Sequence, residues 1–255
     1  MYDLIILICF HENEECLLDQ IANIKKFNKQ KVAIIISNAG ESSLDVLRDV
    51  DSVFVVDRNP KTTEKFITLI PSHVQLWDYV TENNIKSKYV LLLSTNQLFI
   101  NSGFFDFIQE YNAGYFDRPI RDNISYWMTG LFPIFHQSIG EQYFTKQSNH
   151  DGMFFKFDLF DSMMSYFSRY RGIVEQNHKE EFLYYAYINK YSDTFVDFSS
   201  YNYFCADISS NCLSFRKTSI EDVDREKKNG KFLVKRVERN INDPVRIYIK
   251  ENINE

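Results

Sequence analysis

The chain has 255 residues, of which 44% are hydrophobic and 25% are charged, as is usual for a globular protein with a substantial core. Its net charge of −6 gives no support to binding of nucleic acid or anionic membranes through the field of the whole molecule. Aromatic residues make up 16%, whereas the chain has only 8 Gly and 5 Pro, which argues against disorder and low-complexity repeats. We therefore expect no nucleic-acid partner and at most peripheral contact with a membrane.

The cysteines have neither the number nor the spacing of a disulfide scaffold or a zinc site, which favours reduced thiols. They are Cys9, Cys16, Cys205 and Cys212. The apolar run LIILICF lacks a preceding basic region and is followed by HENEE rather than a cleavage site, so it is predicted to be a core strand. No apolar run approaches the roughly 20 residues that span a bilayer. The sequence thus predicts a cytoplasmic protein.

Strand-like and helix-like segments alternate over the first part of the chain. The predicted strands are LIILICF (4–10), KVAIIIS (31–37), SVFVVD (52–57) and YVLLLS (89–94). The predicted helices are ENEECLLDQIANIKKF (12–27), SSLDVLRDV (42–50) and TTEKFITLIPSHVQLWDYVTENN (62–84). Pro71 is expected to kink or split the last of them. Such alternation with short connections predicts an α/β fold of Rossmann type, with a mostly parallel sheet and helices on both faces.

The pattern is looser after residue 101. Residues 102–150 have no clean period, and later elements are predicted as a strand running into an amphipathic helix (152–170), a helix (178–191) and a short strand (193–199). Residues 231–251 form a strand-like run rich in cations. Because neither a repeat nor a linker is evident, one domain is more consistent with the sequence than two.

Small polar residues end two of the predicted strands, and ligands of open α/β sheets bind at such strand ends. Ser37 and Asn38 end the second strand and are expected to contact a nucleotide base or ribose, the alternative being a simple strand-to-helix turn. Ser94, Thr95 and Asn96 end the fourth strand. Neither a G-x-G-x-x-G nor a P-loop motif follows the first strand, so the usual dinucleotide and P-loop sites are not indicated.

Metal-dependent enzymes that use nucleotide sugars commonly end the fourth strand in an Asp-x-Asp pair that holds Mg²⁺ or Mn²⁺ on the diphosphate. Here that place reads STN (94–96). One DVD run (49–51) precedes a strand, and a second (222–224) lies in a charged segment that is expected to be exposed. We therefore expect no metal ion and no other cofactor.

Cations of the protein are the expected replacement for a metal. Lys235, Arg236, Arg239 and Arg246 lie close together near the C-terminus, and such groups can bond phosphate oxygens directly. The alternative interpretation is a solvated basic edge strand. On a strand, Lys235 and Arg236 would face opposite sides, so that at most one of them would contact a given ligand.

The pair Glu180-Glu181 opens the predicted helix EEFLYYAYI. One of these carboxylates is a candidate general base for the proton of an acceptor hydroxyl, and the alternative is capping of the helix N-terminus. His11 ends the first strand, but it has no metal-ligand spacing to His73 or His150. No nucleophile elbow is present, so a hydrolytic triad is not indicated.

Three segments together resemble the core-2/I-branching β-1,6-N-acetylglucosaminyltransferases. YVLLLSTNQLFI (89–100), after the helix HVQLWDYVTENN, is similar to the block Leu-Ser-Gly-x-Asp-Tyr-Pro-Leu of that family, although Thr95-Asn96 replaces Gly-x-Asp. EEFLYYAY (180–187) resembles the segment that carries the catalytic glutamate, without the threonine that follows it. KRVER (235–239) is similar to the basic stretch that holds the UDP diphosphate. The resemblance implies a GT-A fold, an inverting mechanism and no metal, and the missing paired cysteines and membrane anchor fit a bacterial relative.

We therefore predict one GT-A-like domain, 1–255, with a nucleotide-binding half (1–101) and an acceptor half (102–255) that carries the basic C-terminal segment. The predicted reaction moves a sugar, GlcNAc or another hexose, from a UDP-sugar to a glycan or lipid-linked glycan in bacterial surface polysaccharide synthesis. Glu181 is the predicted base and Glu180 the fallback. The predicted substrate-binding residues are His11, Ser37, Asn38, Arg58, Ser94, Thr95, Asn96, Asp151, Lys235, Arg236 and Arg239.

Two other classes of protein remain open on the sequence. A noncatalytic nucleotide- or sugar-binding module could keep the GT-A-like fold without the chemistry. A nucleotidyltransferase is the third choice, because it would normally need a carboxylate pair beside the phosphates. The aromatic-rich second half also leaves a homo-oligomer open.

Overall fold

The structure is a computed structural model of the chain. It describes residues 1–10, 13–39, 43–57, 69–115, 117–118, 133–148, 150–174, 180–197, 203–204 and 217–253, and at 117–118, 147, 180–181 and 203–204 it describes the backbone alone. The predicted site residues His11 and Arg58 lie outside the described residues.

Strands and helices alternate up to β4, and the elements after it follow a less regular order. The strands are β1 (Leu4–Phe10), β2 (Val32–Asn38), β3 (Val53–Asp57), β4 (Tyr89–Ser94), β5 (Gln97–Phe99), β6 (Ala113–Tyr115), β7 (Asp117–Arg118), β8 (Gln147–Ser148), β9 (Phe154–Lys156), β10 (Phe195–Asp197), β11 (Tyr203–Phe204) and β12 (Leu233–Lys235). The helices are α1 (Glu14–Phe27), α2 (Asp45–Arg48), α3 (Ile70–Glu82), α4 (Phe104–Ile108), α5 (Pro133–Ile139), α6 (Phe157–Arg169), α7 (Arg171–Val174), α8 (Glu180–Tyr191), α9 (Ile220–Lys228) and α10 (Pro244–Asn252), with a 3₁₀ turn at Glu141–Tyr143.

Seven strands form the main sheet in the order β10-β6-β9-β4-β1-β2-β3. The pairs β4-β1, β1-β2, β2-β3 and β10-β6 are parallel, whereas β9 is antiparallel to both of its neighbours. Strands from both halves of the sequence thus share one sheet. A smaller sheet, in the order β11-β12-β5, continues from the turn after β4. The predicted α/β class with a mostly parallel sheet is confirmed.

Both faces of the main sheet are buried, which explains why its strands are continuously apolar in sequence. In β1, Leu4, Ile6 and Ile8 pack into a core shared with α1, α4 and α10, while Ile5 and Leu7 pack into a second core with α3, α6 and α8. This alternation follows from the two-residue period of a strand. Helices therefore lie on both faces, as the sequence predicts.

Prolines mark the starts of two helices. Pro71 lies in the first turn of α3, where its missing N–H has no intrahelical partner to lose, and residues 62–68 of the predicted helix lie outside the described residues. The strand-like C-terminal run is a strand only at Leu233–Lys235. Pro244, with the side chain of Asp243 as N-cap, begins helix α10 instead.

The described helices were also compared with the dimensions of a bilayer. None of them combines the length and the hydropathy that a membrane-crossing helix needs.

Candidate functional site

A cleft of about 230 Å³ opens at the carboxyl ends of β1 and β4. The two strands are adjacent and parallel, with Cys9 of β1 opposite Ser94 of β4, so their ends meet at one edge of the sheet. The described residues that line the cleft are Cys9, Leu69, His73, Leu93, Ser94, Thr95, Asn96, His150, Asp151, Lys235, Arg236 and Arg239. Ligands of open α/β sheets bind at this kind of edge.

The reversed strand β9 brings Asp151 to the same edge. Because β9 runs antiparallel to β4, the residues that precede it lie beside the residues that follow β4. The backbone N–H of Gly152 donates to the Leu92 carbonyl at 2.7 Å, and the N–H of Leu92 donates to the Met153 carbonyl at 2.9 Å. These bonds fix Asp151 in the cleft, next to the end of β4.

Residues 94–96, named here the polar turn, form one wall. The Ser94 hydroxyl donates to Asn96 Oδ1 at 2.8 Å, and the Ser94 N–H donates to Gln97 Oε1 at the same distance. From α1, the amide of Gln20 donates to the carbonyls of Ser94 (2.7 Å) and Gln97 (2.8 Å). Thr95 is 3% exposed. The polar turn is therefore held by side chains from α1 and from its own strand, and it presents hydroxyl and amide groups to the cleft.

Residues 235–239, named here the basic loop, form the adjoining wall, because Lys235 of β12 pairs with Gln97 of β5. Lys235 ends β12, and Arg236 follows with a φ of 69°, in the left-handed region that a residue with a side chain rarely adopts. That turn breaks the alternation of the strand, so Lys235 and Arg236 both line the cleft together with Arg239. The expectation that at most one of Lys235 and Arg236 faces a ligand is therefore wrong. The edge-strand interpretation is also wrong, because β12 lies between β11 and β5 and Lys235 is 9% exposed.

Asp151 is the carboxylate among the described lining residues, and it is already paired. Its Oδ2 accepts from the ammonium group of Lys235 in a short ion pair, and its Oδ1 lies 3.1 Å from Nε2 of His150. The Asp151 side chain is 4% exposed, so the pair is shielded from water. Three cations thus face one carboxylate, and the cleft keeps an excess of positive charge that suits an anionic ligand.

Two histidines of the cleft are weak candidates for metal ligands on the sequence, because they are far apart in the chain. In the structure their rings lie 6.1 Å apart, with His73 on α3 and His150 before β9. Nδ1 of His73 is 2.7 Å from the Tyr184 hydroxyl. Burial and, to a smaller extent, the neighbouring His150 lower the pKa of His73 to about 3, so His73 is neutral near pH 7. His73 and His150 therefore come together only in the folded chain.

Two other predicted binding residues that the structure describes lie at the end of a neighbouring strand. Ser37 and Asn38 are at the end of β2, where Ser37 is opposite Cys9, but neither is among the lining residues. The Asn38 amide donates to Asp57 at 3.4 Å instead. Their contact with a nucleotide remains a prediction.

The predicted bases Glu180 and Glu181 begin α8, where the structure describes the backbone alone. Their helix approaches the cleft, because Tyr184, one turn further along, contacts His73. Phe182 and Tyr185 are buried, as is usual for apolar helix positions. The roles of Glu180 and Glu181 therefore remain predictions.

The carboxylates of the second DVD run (222–224) have structural partners. Asp222 is 1% exposed rather than exposed, and it forms a reciprocal capping box with Ser219 at the start of α9. Asp224 accepts from the Tyr248 hydroxyl at 2.6 Å. Within the described ranges, no group of three His, Cys, Asp or Glu side chains is placed to hold a metal ion.

Comparison with known proteins gave alignments to solved structures only. No family model and no curated protein matches the chain. An active-site mutant of LgtC aligns at 12% identity and a TM-score of 0.49, over 97% of this chain and 94% of that chain. The galactosyltransferase LgtC in complex with donor and acceptor sugar analogs aligns at 13% identity and 0.47, over 97% and 94%. S. aureus TarS aligns at 12% identity and 0.45, over 76% and 57%.

TM-scores below 0.5 at such identities do not decide a function. The function is therefore inferred below from the cleft itself, and the resemblance to the core-2/I-branching transferases remains a prediction.

Proposed function

We propose that this chain is a GT-A-like glycosyltransferase that binds the diphosphate of a nucleotide sugar in the cleft and transfers the sugar to a hydroxyl group of a glycan. The observation that carries the proposal is the meeting of the basic loop and the polar turn at the carboxyl ends of β1 and β4. Cations on one wall suit phosphates, and hydroxyl and amide groups on the other suit sugar hydroxyls.

The chemistry follows from this arrangement. An acceptor hydroxyl attacks the anomeric carbon while the bond from that carbon to the diphosphate oxygen breaks. Negative charge then grows on the departing oxygen, and Lys235, Arg236 and Arg239 are placed to stabilise it without a metal ion. Donor binding would also compete with Asp151 for the ammonium group of Lys235.

A carboxylate must take the proton of the attacking hydroxyl if the transfer inverts the anomeric configuration. We assign this role to Glu181, with Glu180 as fallback, and a UDP-sugar as donor. The acceptor class that we favour is a bacterial surface glycan, free or linked to a lipid.

The first experiment is a calorimetric titration with UDP, followed by an assay against a panel of UDP-sugars in which NMR reads the anomeric configuration of the product. We expect UDP to bind and one donor to be consumed with inversion. Binding without turnover of any donor, in the presence of acceptor glycans, would support the noncatalytic module instead. Retention of the anomeric configuration in the product would rule out an inverting mechanism.

The second experiment tests the base. Glu181→Gln keeps the size and most of the hydrogen-bonding capacity of the side chain but cannot accept a proton, so turnover should fall by roughly 10²-fold or more. Glu180→Gln is the matched control and should keep most of the activity. A loss confined to Glu180→Gln would exchange the two roles, and normal turnover in both variants would place the base elsewhere.

A further inference from the structure

Arg246 lies in the first turn of α10, and its side chain is buried with 1% exposure. In the sequence it lies close to the cations that are expected to bind phosphate. It is not among the described residues that line the cleft, however. Its side chain donates hydrogen bonds to backbone carbonyls on other parts of the protein and to one carboxylate. A buried cation with this many partners has a defined position, since its guanidinium presents donors in a fixed planar fork.

The fork joins the two walls of the cleft. Its Nη2 donates to the carbonyl of Thr95, in the polar turn, at 3.2 Å. Its Nε donates to the carbonyl of Glu238, in the basic loop, at 2.7 Å. One rigid group therefore bonds the backbone of both walls, from behind the surface that a ligand would contact.

The third side of the fork is fixed to α1. Nη1 of Arg246 donates to Oδ2 of Asp19 at 2.8 Å, in an ion pair whose carboxylate side chain is 9% exposed, and lies 3.4 Å from the Cys16 carbonyl. The carboxylate neutralises the buried charge and orients the guanidinium. The antiparallel pairing of β12 with β5, in which Lys235 is opposite Gln97, and a backbone bond from the N–H of Val237 to the Asn96 carbonyl at 3.3 Å already join the near ends of the two walls, so the bond of Arg246 to Glu238 lies beyond them, further along the basic loop.

We propose that Arg246 is a positioning residue that holds the outer part of the basic loop, at Glu238, against the polar turn, so that phosphate affinity depends on it although it does not contact the ligand. This inference rests on the proposed function of the cleft. Hydrogen bonds weaken steeply with distance and angle, so a shift of either wall by a fraction of an ångström weakens several ligand contacts together.

A merely structural role predicts a different result, and Arg246→Lys separates the two. Lysine keeps the positive charge for Asp19, but its single ammonium group cannot bond the Thr95 and Glu238 carbonyls in the planar geometry of the fork. The control is Ile249→Ala, on the same helix, which removes a side chain that is 1% exposed and has no polar contact with either wall. Both variants should lower the free energy of unfolding.

The test measures the affinity for inorganic pyrophosphate by calorimetry and the stability by urea unfolding, in the full chain. We expect the dissociation constant of Arg246→Lys to rise about tenfold, as for the loss of about 1.4 kcal/mol of binding free energy, and that of Ile249→Ala to stay within about twofold of wild type. Equal affinities in wild type and Arg246→Lys would overturn the positioning role. An equal loss in both variants would do the same, because it would reflect stability alone.

A second variant covers the case in which Arg246→Lys does not fold. Asp19→Asn removes the carboxylate that orients the guanidinium and so loosens its bonds to Thr95 and Glu238, and the affinity for pyrophosphate should fall by about two- to fivefold. Unchanged affinity in a folded Asp19→Asn would also overturn the role. A wild-type protein that binds neither pyrophosphate nor UDP would instead overturn the proposed function, which separates the two failures.

Discussion

Single residues of the cleft differ in their burial and in their pairing. Asp151 is nearly inaccessible to water and holds Lys235, while Arg239 is exposed at the outer end of the basic loop. The inner cation is therefore fixed in place by a partner, and the outer one is placed to meet a ligand first. Residues of these two kinds should respond differently to substitution.

Arg239→Gln tests the outer cation. Because Arg239 is exposed, its loss should not unfold the protein, but it should raise the dissociation constant for UDP by about tenfold, as expected for one charge-assisted hydrogen bond of about 1.5 kcal/mol. Titration calorimetry gives the dissociation constant, and scanning calorimetry shows whether the variant remains folded. Lys228→Gln, which removes an exposed cation outside the cleft, is the control and should leave the affinity unchanged. Equal affinities in the two variants would contradict a role for Arg239.

His73 makes the stability depend on pH. Its pKa of about 3 in the folded protein lies below the value of 6.5 for a free histidine, so between these pH values the unfolded chain binds a proton that the folded chain does not. Stability is therefore highest above pH 6.5 and falls as the pH is lowered towards 3, by up to about 1.4 kcal/mol per pH unit.

The substitution His73→Gln removes this proton and keeps a partner for the Tyr184 hydroxyl. Urea unfolding at pH 7, 5.5 and 4 should show wild type losing stability relative to the variant, with the difference changing by at most about 3 kcal/mol. Parallel pH profiles would show that His73 is not held neutral.

At the scale of elements, the close contact between β6 and β9 places a strict demand on one glycine. A Cβ atom on Gly114 would lie 2.0 Å from Cε1 of Phe154, whose ring is fully buried between Tyr89 and Phe104. The ring has little space to move, so either it or the strand pairing must shift. The pairing matters for the site because β9 positions Asp151.

Gly114→Ala should accordingly lower the free energy of unfolding by about 1–3 kcal/mol, the usual cost of overpacking a core. Gly172→Ala is the matched control, because a Cβ there meets nothing within 4 Å and alanine favours a helix such as α7. Denaturant unfolding compares the two variants. Equal stability of Gly114→Ala and wild type would mean that the contact relaxes without cost.

Elements buried on both faces were predicted well, and their connections were not. The four parallel strands were found because both of their faces pack against helices, which makes them continuously apolar. The end of β12 was missed because nothing in the letters KRVER indicates a left-handed backbone at Arg236. The start of α10 was available in principle, since an Asp-Pro pair is a usual helix start.

At the scale of the whole molecule, the candidate site combines residues that are distant in sequence. The turn after β4 was predicted as a ligand site because it ends a buried strand, and the basic loop because its charges are close together in sequence. The proximity of His73 to His150, and the burial of Arg246 behind the cleft, depend on how helices and strands pack, which no local pattern encodes.

Metal independence is a proposal about the assembled cleft and can be tested as such. If Lys235, Arg236 and Arg239 carry the charge of the diphosphate, sugar transfer should keep its rate after dialysis against EDTA. The assay compares dialysed enzyme with and without added Mn²⁺ or Mg²⁺. Strict dependence on either ion would show that the three cations are insufficient.

The link from Arg246 to the polar turn has a consequence for biosynthesis. Strands β1 to β4 have been translated by residue 94, yet the reversed strand, the basic loop and the arginine behind them are made only afterwards. Under the proposed function, a nascent chain stalled on the ribosome before residue 231 would carry these strands without the cations assigned to the diphosphate. Competence to capture a donor would then be acquired late in translation, in a step that follows formation of the central strands.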